Sequence, residues 1–240
     1  MKLIVVETPE KGAEVGYNII SDAMKANEIK VLGLATGSTP VKMYELISKS
    51  DLDFSDVISI NLDEYIGIGK DHPQSYHYFM NEHLFNAKPF KENHLPDGLE
   101  KDEEKECARY NKLIEENPID LQILGIGSNG HIGFNEPGAS FDSLTEKVAL
   151  APSTIEANSR FFETKDDVPK FAYSMGIKSI MSAKNIVLFA YGESKQDAIK
   201  GLFEGEITED LPASALRNHP NVTVVVDTAA AGKLDVSKHQ

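Results

Sequence analysis

What most constrains this chain is the alternation along it of short, unbroken apolar runs with helix-spaced patterns. The runs cover residues 3–6, 31–35, 57–62, 121–126, 185–191 and 221–227, and they are rich in β-branched residues without the polar alternation of a strand that faces water. Strands of that kind are buried on both faces. Between them, residues 9–26 carry Ala13, Tyr17 and Ile20 on one helical face. Val41, Tyr44 and Ile47 repeat that spacing after Pro40, which suits a first helical position with Ser38 or Thr39 as its cap. Further helices are predicted from about 73 to 84, from 100 to 116 and from 194 to 203, and residues 147–151 read as a further short strand. Residues 157–162 and 171–183 fit neither period. Buried strands alternating with helices predict an α/β fold of the doubly wound, Rossmann-like kind, a mostly parallel sheet with helices on both faces.

No internal repeat and no linker rich in Pro, Gly or Ser divides the chain, so residues 1–240 are expected to form a single α/β domain around one core. Acidic side chains outnumber basic ones 38 to 24, and a net charge of −14 speaks against a general affinity for nucleic acid or an anionic membrane. An anionic ligand would need a local cradle. The single cysteine, Cys107, cannot close an internal disulfide, and the first residues lack the basic and long apolar segments of a signal peptide. No stretch approaches the ~20 apolar residues of a membrane span. A soluble, cytoplasmic protein is expected.

In an open parallel sheet, ligands sit beyond the carboxyl ends of the strands, near the point where strand order reverses. Four such exits are polar or rich in glycine: Thr36 to Thr39, Asp63 to Tyr65, Gly127 to Glu136, and Gly192 to Lys195. In the third, Gly127, Gly130 and Gly133 surround His131, with Asn129 and Glu136 beside it. A carboxylate against an imidazole sets its tautomer and stabilises its charged form, which suits acid–base chemistry; a histidine satisfying a buried carbonyl is the plainer alternative. Thr36, Gly37, Ser38 and Thr39 offer N–H groups and hydroxyls at a helix start, for an anion or simply as a cap. Lys195 falls in the first turn of its predicted helix, where a positive side chain is disfavoured by ~0.3–1 kcal/mol unless an anion is bound there. Arg160, ahead of two aromatic residues, suits a forked contact to a phosphate or carboxylate, or a structural ion pair. Asp63 follows an apolar strand directly, as a general base or as a turn acceptor. The spacings of a P-loop and a Gly-x-Ser-x-Gly elbow are absent, no Gly-x-Gly-x-x-Gly opens the first helix, and His72, His77 and His83 have no metal-ligand spacing.

Five stretches, in order, carry a resemblance that covers nearly the whole chain. Residues 34–40 (Leu-Ala-Thr-Gly-Ser-Thr-Pro), 61–65 (Asn-Leu-Asp-Glu-Tyr), 125–137, 157–161 (Ala-Asn-Ser-Arg-Phe) and 192–195 (Gly-Glu-Ser-Lys) resemble the glucosamine-6-phosphate deaminase family. The wider superfamily includes 6-phosphogluconolactonases, which share the fold and a Gly-His loop but are expected to lack the run Phe134-Asn135-Glu136-Pro137. The resemblance implies conversion of glucosamine 6-phosphate and water to fructose 6-phosphate and ammonium, with no metal and no organic cofactor, and a small-molecule sugar phosphate as partner. It implies that Asp63 moves a proton between C2 and C1. His131 would open the sugar ring, with Glu136 and Asn129 orienting it, although many relatives carry aspartate where Asn129 stands. The phosphate would meet Ser38, Thr39, Arg160 and Lys195, and residues 147–167 form a possible lid. Some longer relatives are hexamers activated by N-acetylglucosamine 6-phosphate. This chain ends without their added C-terminal element and has Glu146 and Val148 where they carry basic residues, so no such activation is expected. The oligomeric state stays open between monomer and small homo-oligomer. Two alternatives stand beside the deaminase: a hydrolase of the 6-phosphogluconolactonase kind, and a sugar-phosphate-binding regulator without chemistry.

Overall fold

In the computed structural model, which describes residues 1–240, each of the six apolar runs contains a strand. β1 (Lys2–Val6) leads into α1 (Pro9–Lys25), whose start is set by Thr8: its hydroxyl accepts the Lys11 N–H, and Pro9 stands in the first turn, where its missing N–H costs nothing. β2 (Val31–Leu34), α2 (Val41–Ser48) and β3 (Ile58–Asn61) follow, and one residue later β4 (Asp63–Tyr65) begins. α3 (Tyr76–Met80), capped by the Ser75 hydroxyl on Tyr78 N–H, runs on into a π-helical turn over Asn81–Phe85. Next come β5 (Glu92–His94), α4 (Glu103–Glu116), capped by Asp102, and β6 (Leu121–Leu124). The remainder holds β7 (Glu146–Ala149), α5 (Pro152–Asn158), β8 (Phe171–Ser174), α6 (Ile177–Met181), β9 (Asn185–Ala190), α7 (Gln196–Glu204) and β10 (Val222–Asp227).

Seven strands form one parallel sheet in the order β1-β10-β9-β6-β2-β3-β5. β2 and β6, at its centre, are buried at every position, which is what unbroken apolar runs require. From β2 the chain winds outward through β3 to β5, returns to β6 on the other flank of β2, and winds on through β9 to β10. Strand order therefore reverses between β2 and β6, and a doubly wound α/β fold is what the sequence predicts. No helix is long and apolar enough to cross a membrane.

A second, antiparallel sheet of order β4-β8-β7 lies outside the main one and corrects several expectations. Residues 63–65 form a strand of it, with Asp63 opposite Ser174 and Tyr65 opposite Ala172. Leu62 passes the chain from one sheet to the other: its N–H donates to Leu34 O (3.1 Å) and its carbonyl accepts from Met175 N (2.8 Å). The strand expected at 147–151 joins this small sheet, and the unassigned stretch from 171 supplies β8 and α6. Helices start later than their apolar spacing suggests, at Tyr76 and Glu103, because Ser75 and Asp102 are the residues whose side chains cap. Ser38 and Thr39 do not cap α2; Pro40 holds that position with no side-chain bond.

Candidate active site

The strands β3, β2, β6 and β9 are consecutive neighbours, so the four exits singled out in the sequence emerge side by side. Between them lies a cavity of about 390 Å³ whose wall includes Thr36, Gly37, Thr39, Asp63, Tyr76, Ser128, His131, Phe134 and Lys195. Its place, at the reversal between β2 and β6, is where an open α/β sheet binds ligands. A larger cleft of about 650 Å³ opens at the amino-terminal edge of the sheet, but its buried carboxylate, Asp120, is already engaged by Lys184 and the N–H groups of Lys30 and Val31.

Asp63 is held by the β4 ladder and is only 7% exposed. Burial, helped by the neighbouring Glu64 carboxylate, pushes its pKa up to about 8, and no hydrogen bond acts against the rise. Glu64 is absent from the cavity wall. Its carboxylate accepts the N–H groups of Tyr65 and Tyr76 at 2.9 Å and of His77 at 3.0 Å, and burial outweighs these donors, raising it to about 7.

His131 stands on a loop that closes on itself, with Gly127 N–H donating to His131 O (2.9 Å) and Gly130 N–H to Gly127 O (3.0 Å). Gly127 has to be glycine, because a Cβ there would lie 2.1 Å from the imidazole, and Gly130 turns the chain at φ +85°. Asn129 Nδ2 donates to Glu136 Oε2 at 2.8 Å, and Asn129 Oδ1 lies 2.8 Å from His131 Nδ1. A carboxylate only accepts, which orients the amide; its oxygen then faces the ring, so Nδ1 carries the hydrogen and Nε2 is left to accept a proton. Glu136 Oε1 is itself 3.5 Å from Nδ1. Burial lowers the His131 pKa, Glu136 pulls the other way, and Lys195 lowers it further.

Lys195 lies in a 3₁₀ turn (Glu193–Lys195) ahead of α7 instead of inside the helix, and its Nζ donates to Ile126 O at 2.5 Å, tying the exit of β9 to that of β6. Burial lowers its pKa. Thr36, Gly37 and Thr39 line the cavity, whereas Ser38 is exposed beside them and off its wall. Arg160 is not brought in: it is exposed, with its guanidinium 4.6 Å from the ring centre of Phe161. No group of three or more His, Cys, Asp or Glu side chains is arranged to hold a metal ion.

Several supporting residues escaped the sequence reading. Tyr76, inside the predicted helix 73–84, lies on the cavity wall with its hydroxyl 3.1 Å from that of Tyr65. Tyr44, read as core, anchors the end of β2 by donating to Ala35 O (2.5 Å) and accepting from Ala35 N (3.2 Å). Asp227, at the end of β10, accepts the N–H groups of Gly192 (3.0 Å) and Ala230 (2.8 Å) and so fixes the turn that presents Lys195. A polar residue closing an apolar run was the available signal for Asp227; Tyr44 and Tyr76 gave none, because a buried hydroxyl looks like any aromatic on a helix face.

Fold and cavity together define a doubly wound α/β protein with a carboxylate, an imidazole and a lysine gathered at the switch point of its sheet. The chain belongs to the family described as glucosamine-6-phosphate isomerases/6-phosphogluconolactonase, whose model matches residues 7–225. It is 60% identical over 234 residues to a glucosamine-6-phosphate deaminase of Pediococcus pentosaceus, with 98% of this chain and 99% of that protein covered. Among solved structures, a monomeric glucosamine-6-phosphate deaminase superposes with a TM-score of 0.91 at 43% identity, over 97% of this chain and all of that one. The 6-phosphogluconolactonase of Trypanosoma brucei, at 19% identity and a TM-score of 0.80 over 97% of this chain and 98% of that one, shares the fold.

Proposed function

We propose that this chain converts glucosamine 6-phosphate and water to fructose 6-phosphate and ammonium. The observation that carries the proposal is the shared cavity: Asp63, buried and without a hydrogen-bond partner, and His131, with Nε2 free, line the same wall space as Lys195 and the Thr36–Gly37–Thr39 loop. Its volume, about 390 Å³, suits a single sugar phosphate.

The chemistry assigns a role to each group. With the phosphate against Lys195 and the Thr36 loop, His131 Nε2 takes the proton of the anomeric hydroxyl and returns it to the ring oxygen, opening the ring. Asp63 then takes the C2 proton; the electron pair forms C1=C2 as the carbonyl oxygen gains a proton from the substrate's own ammonium group, giving a neutral enolamine. Asp63 returns the proton to C1, the nitrogen lone pair forms C2=N, water adds to C2, and ammonium leaves. One base must reach both carbons, and a carboxylate fixed in a β-ladder meets that demand. A proton affinity near working pH also suits a group that takes a proton and gives it back. A monomeric enzyme and a cytoplasmic location belong to the same reading.

Ammonium release from glucosamine 6-phosphate tests the proposal directly, with Asp63→Asn as the control and 6-phosphogluconolactone as the competing substrate. Ammonium from the native chain, lost in the variant, is the expected result. Lactone hydrolysis without ammonium would favour the hydrolase, and binding without either product a regulator.

A further inference from the structure

We infer that Glu64 is a positioning residue for this reaction, seating Tyr76 in the cavity wall and setting a second buried carboxylate directly behind Asp63. The inference rests on the deaminase reading for the role of Asp63, and on geometry for the rest. Asp63 and Glu64 are consecutive in β4, so their side chains leave opposite faces of the strand: one enters the cavity wall and the other turns to α3. Both are buried.

Oε1 of Glu64 takes the N–H groups of Tyr65 and Tyr76, and Oε2 takes that of His77, so one carboxylate joins β4 to the first turn of α3. That join places Tyr76, whose ring lies 4.5 Å from that of Tyr65 and nearly parallel to Phe134 at 6.3 Å. The same carboxylate is the charge adjoining Asp63. The titratable groups that surround the pair from other elements are Tyr76 and His77 on α3, Tyr110 on α4, whose hydroxyl donates to Asn61 O, and Tyr173 on β8, occupied with Glu100 O at 2.7 Å. Tyr65 adjoins them on β4 itself. In the cavity are His131 and Lys195, the latter engaged with Ile126 O. With three N–H donors against none, Glu64 ionises before Asp63, and its fixed negative charge then holds the Asp63 proton in place.

Glu64→Gln removes the charge and keeps one oxygen for the Tyr65 and Tyr76 N–H groups, while its amide NH2 replaces the acceptor of the His77 N–H. The native chain must first release ammonium, which decides the deaminase reading by itself. The variant's acid limb of kcat/KM against pH is then expected about one unit below that of the native chain. Ionisations of the substrate are common to both proteins and cancel. An unmoved limb, with only a lower melting temperature or a lower kcat, would reduce Glu64 to a structural brace and overturn the inference. Carbon-13 NMR titration of the aspartate carboxyls in the native protein, with Asp63 assigned by its absence from Asp63→Asn, needs neither a folded Glu64 variant nor turnover. A curve for Asp63 with a second inflection where Glu64 ionises is expected, and a single step at an ordinary carboxylate midpoint would overturn the inference.

Discussion

At the scale of single residues, the arrangement that equips Asp63 for chemistry works against folding. Its pKa rises from 3.8 to about 8 on burial, so the folded chain holds a proton that the unfolded chain releases in that range. Stability from this group is fully present below pH 4 and is lost as pH rises through about 8. Asp63→Asn should therefore gain stability relative to the native chain steadily as pH rises from 5 to 8 and level off above that, while ammonium release falls by about 10²-fold or more. Thermal melts at the two pH values check this, and an equal difference at both would contradict it. Lys195 is the cation of the cavity, spending its charge on the Ile126 carbonyl. Lys195→Ala should raise KM about tenfold or more, as expected for losing a charged hydrogen bond worth about 1.5–3 kcal/mol. It should lower kcat as well, because binding energy from the phosphate holds the open chain in place. Steady-state kinetics separates the two effects.

Among the α-helices, α5 stands apart because none of its residues is buried. Its C-terminal Asn158 reaches the Tyr65 hydroxyl at 3.3 Å, and Arg160 lies just beyond, stacked on Phe161. A helix with so little burial opens at low cost. We propose that residues 147–167 act as a lid that brings Arg160 toward the phosphate when substrate binds. Hydrogen exchange over α5 should slow when a sugar phosphate is added, and Arg160→Ala should raise KM by about tenfold while removing that protection. Exchange that is indifferent to ligand would refute the lid. The small antiparallel sheet does the opposite work, holding Asp63 in register with Ser174 so that the base does not wander.

For the molecule as a whole, the superposable deaminase of known structure is described as monomeric. Glu146 and Val148 lie in β7, at the rim of the second sheet. The rate is expected to depend hyperbolically on glucosamine 6-phosphate, with a specific activity independent of protein concentration, and to be unmoved by N-acetylglucosamine 6-phosphate. A sigmoidal curve that the acetylated sugar straightens would contradict this.

The alternation of unbroken apolar runs with helical spacing was enough to specify a mostly parallel sheet layered with helices, since strands buried on both faces must be covered on both. It also marked the four polar exits, because polar residues ending such a run must leave the core. β5 was illegible: Glu92-Asn93-His94 is three polar residues at a sheet edge. β8 was illegible too, because its partners lie about a hundred residues away along the chain in β4 and about twenty-five away in β7. What only the tertiary structure decided is which exits are neighbours. The order β3-β2-β6-β9 sets Asp63, Thr36, Thr39, His131 and Lys195 around one cavity and leaves Arg160 outside it, and strand order is settled by how the connections pack, which no local pattern records.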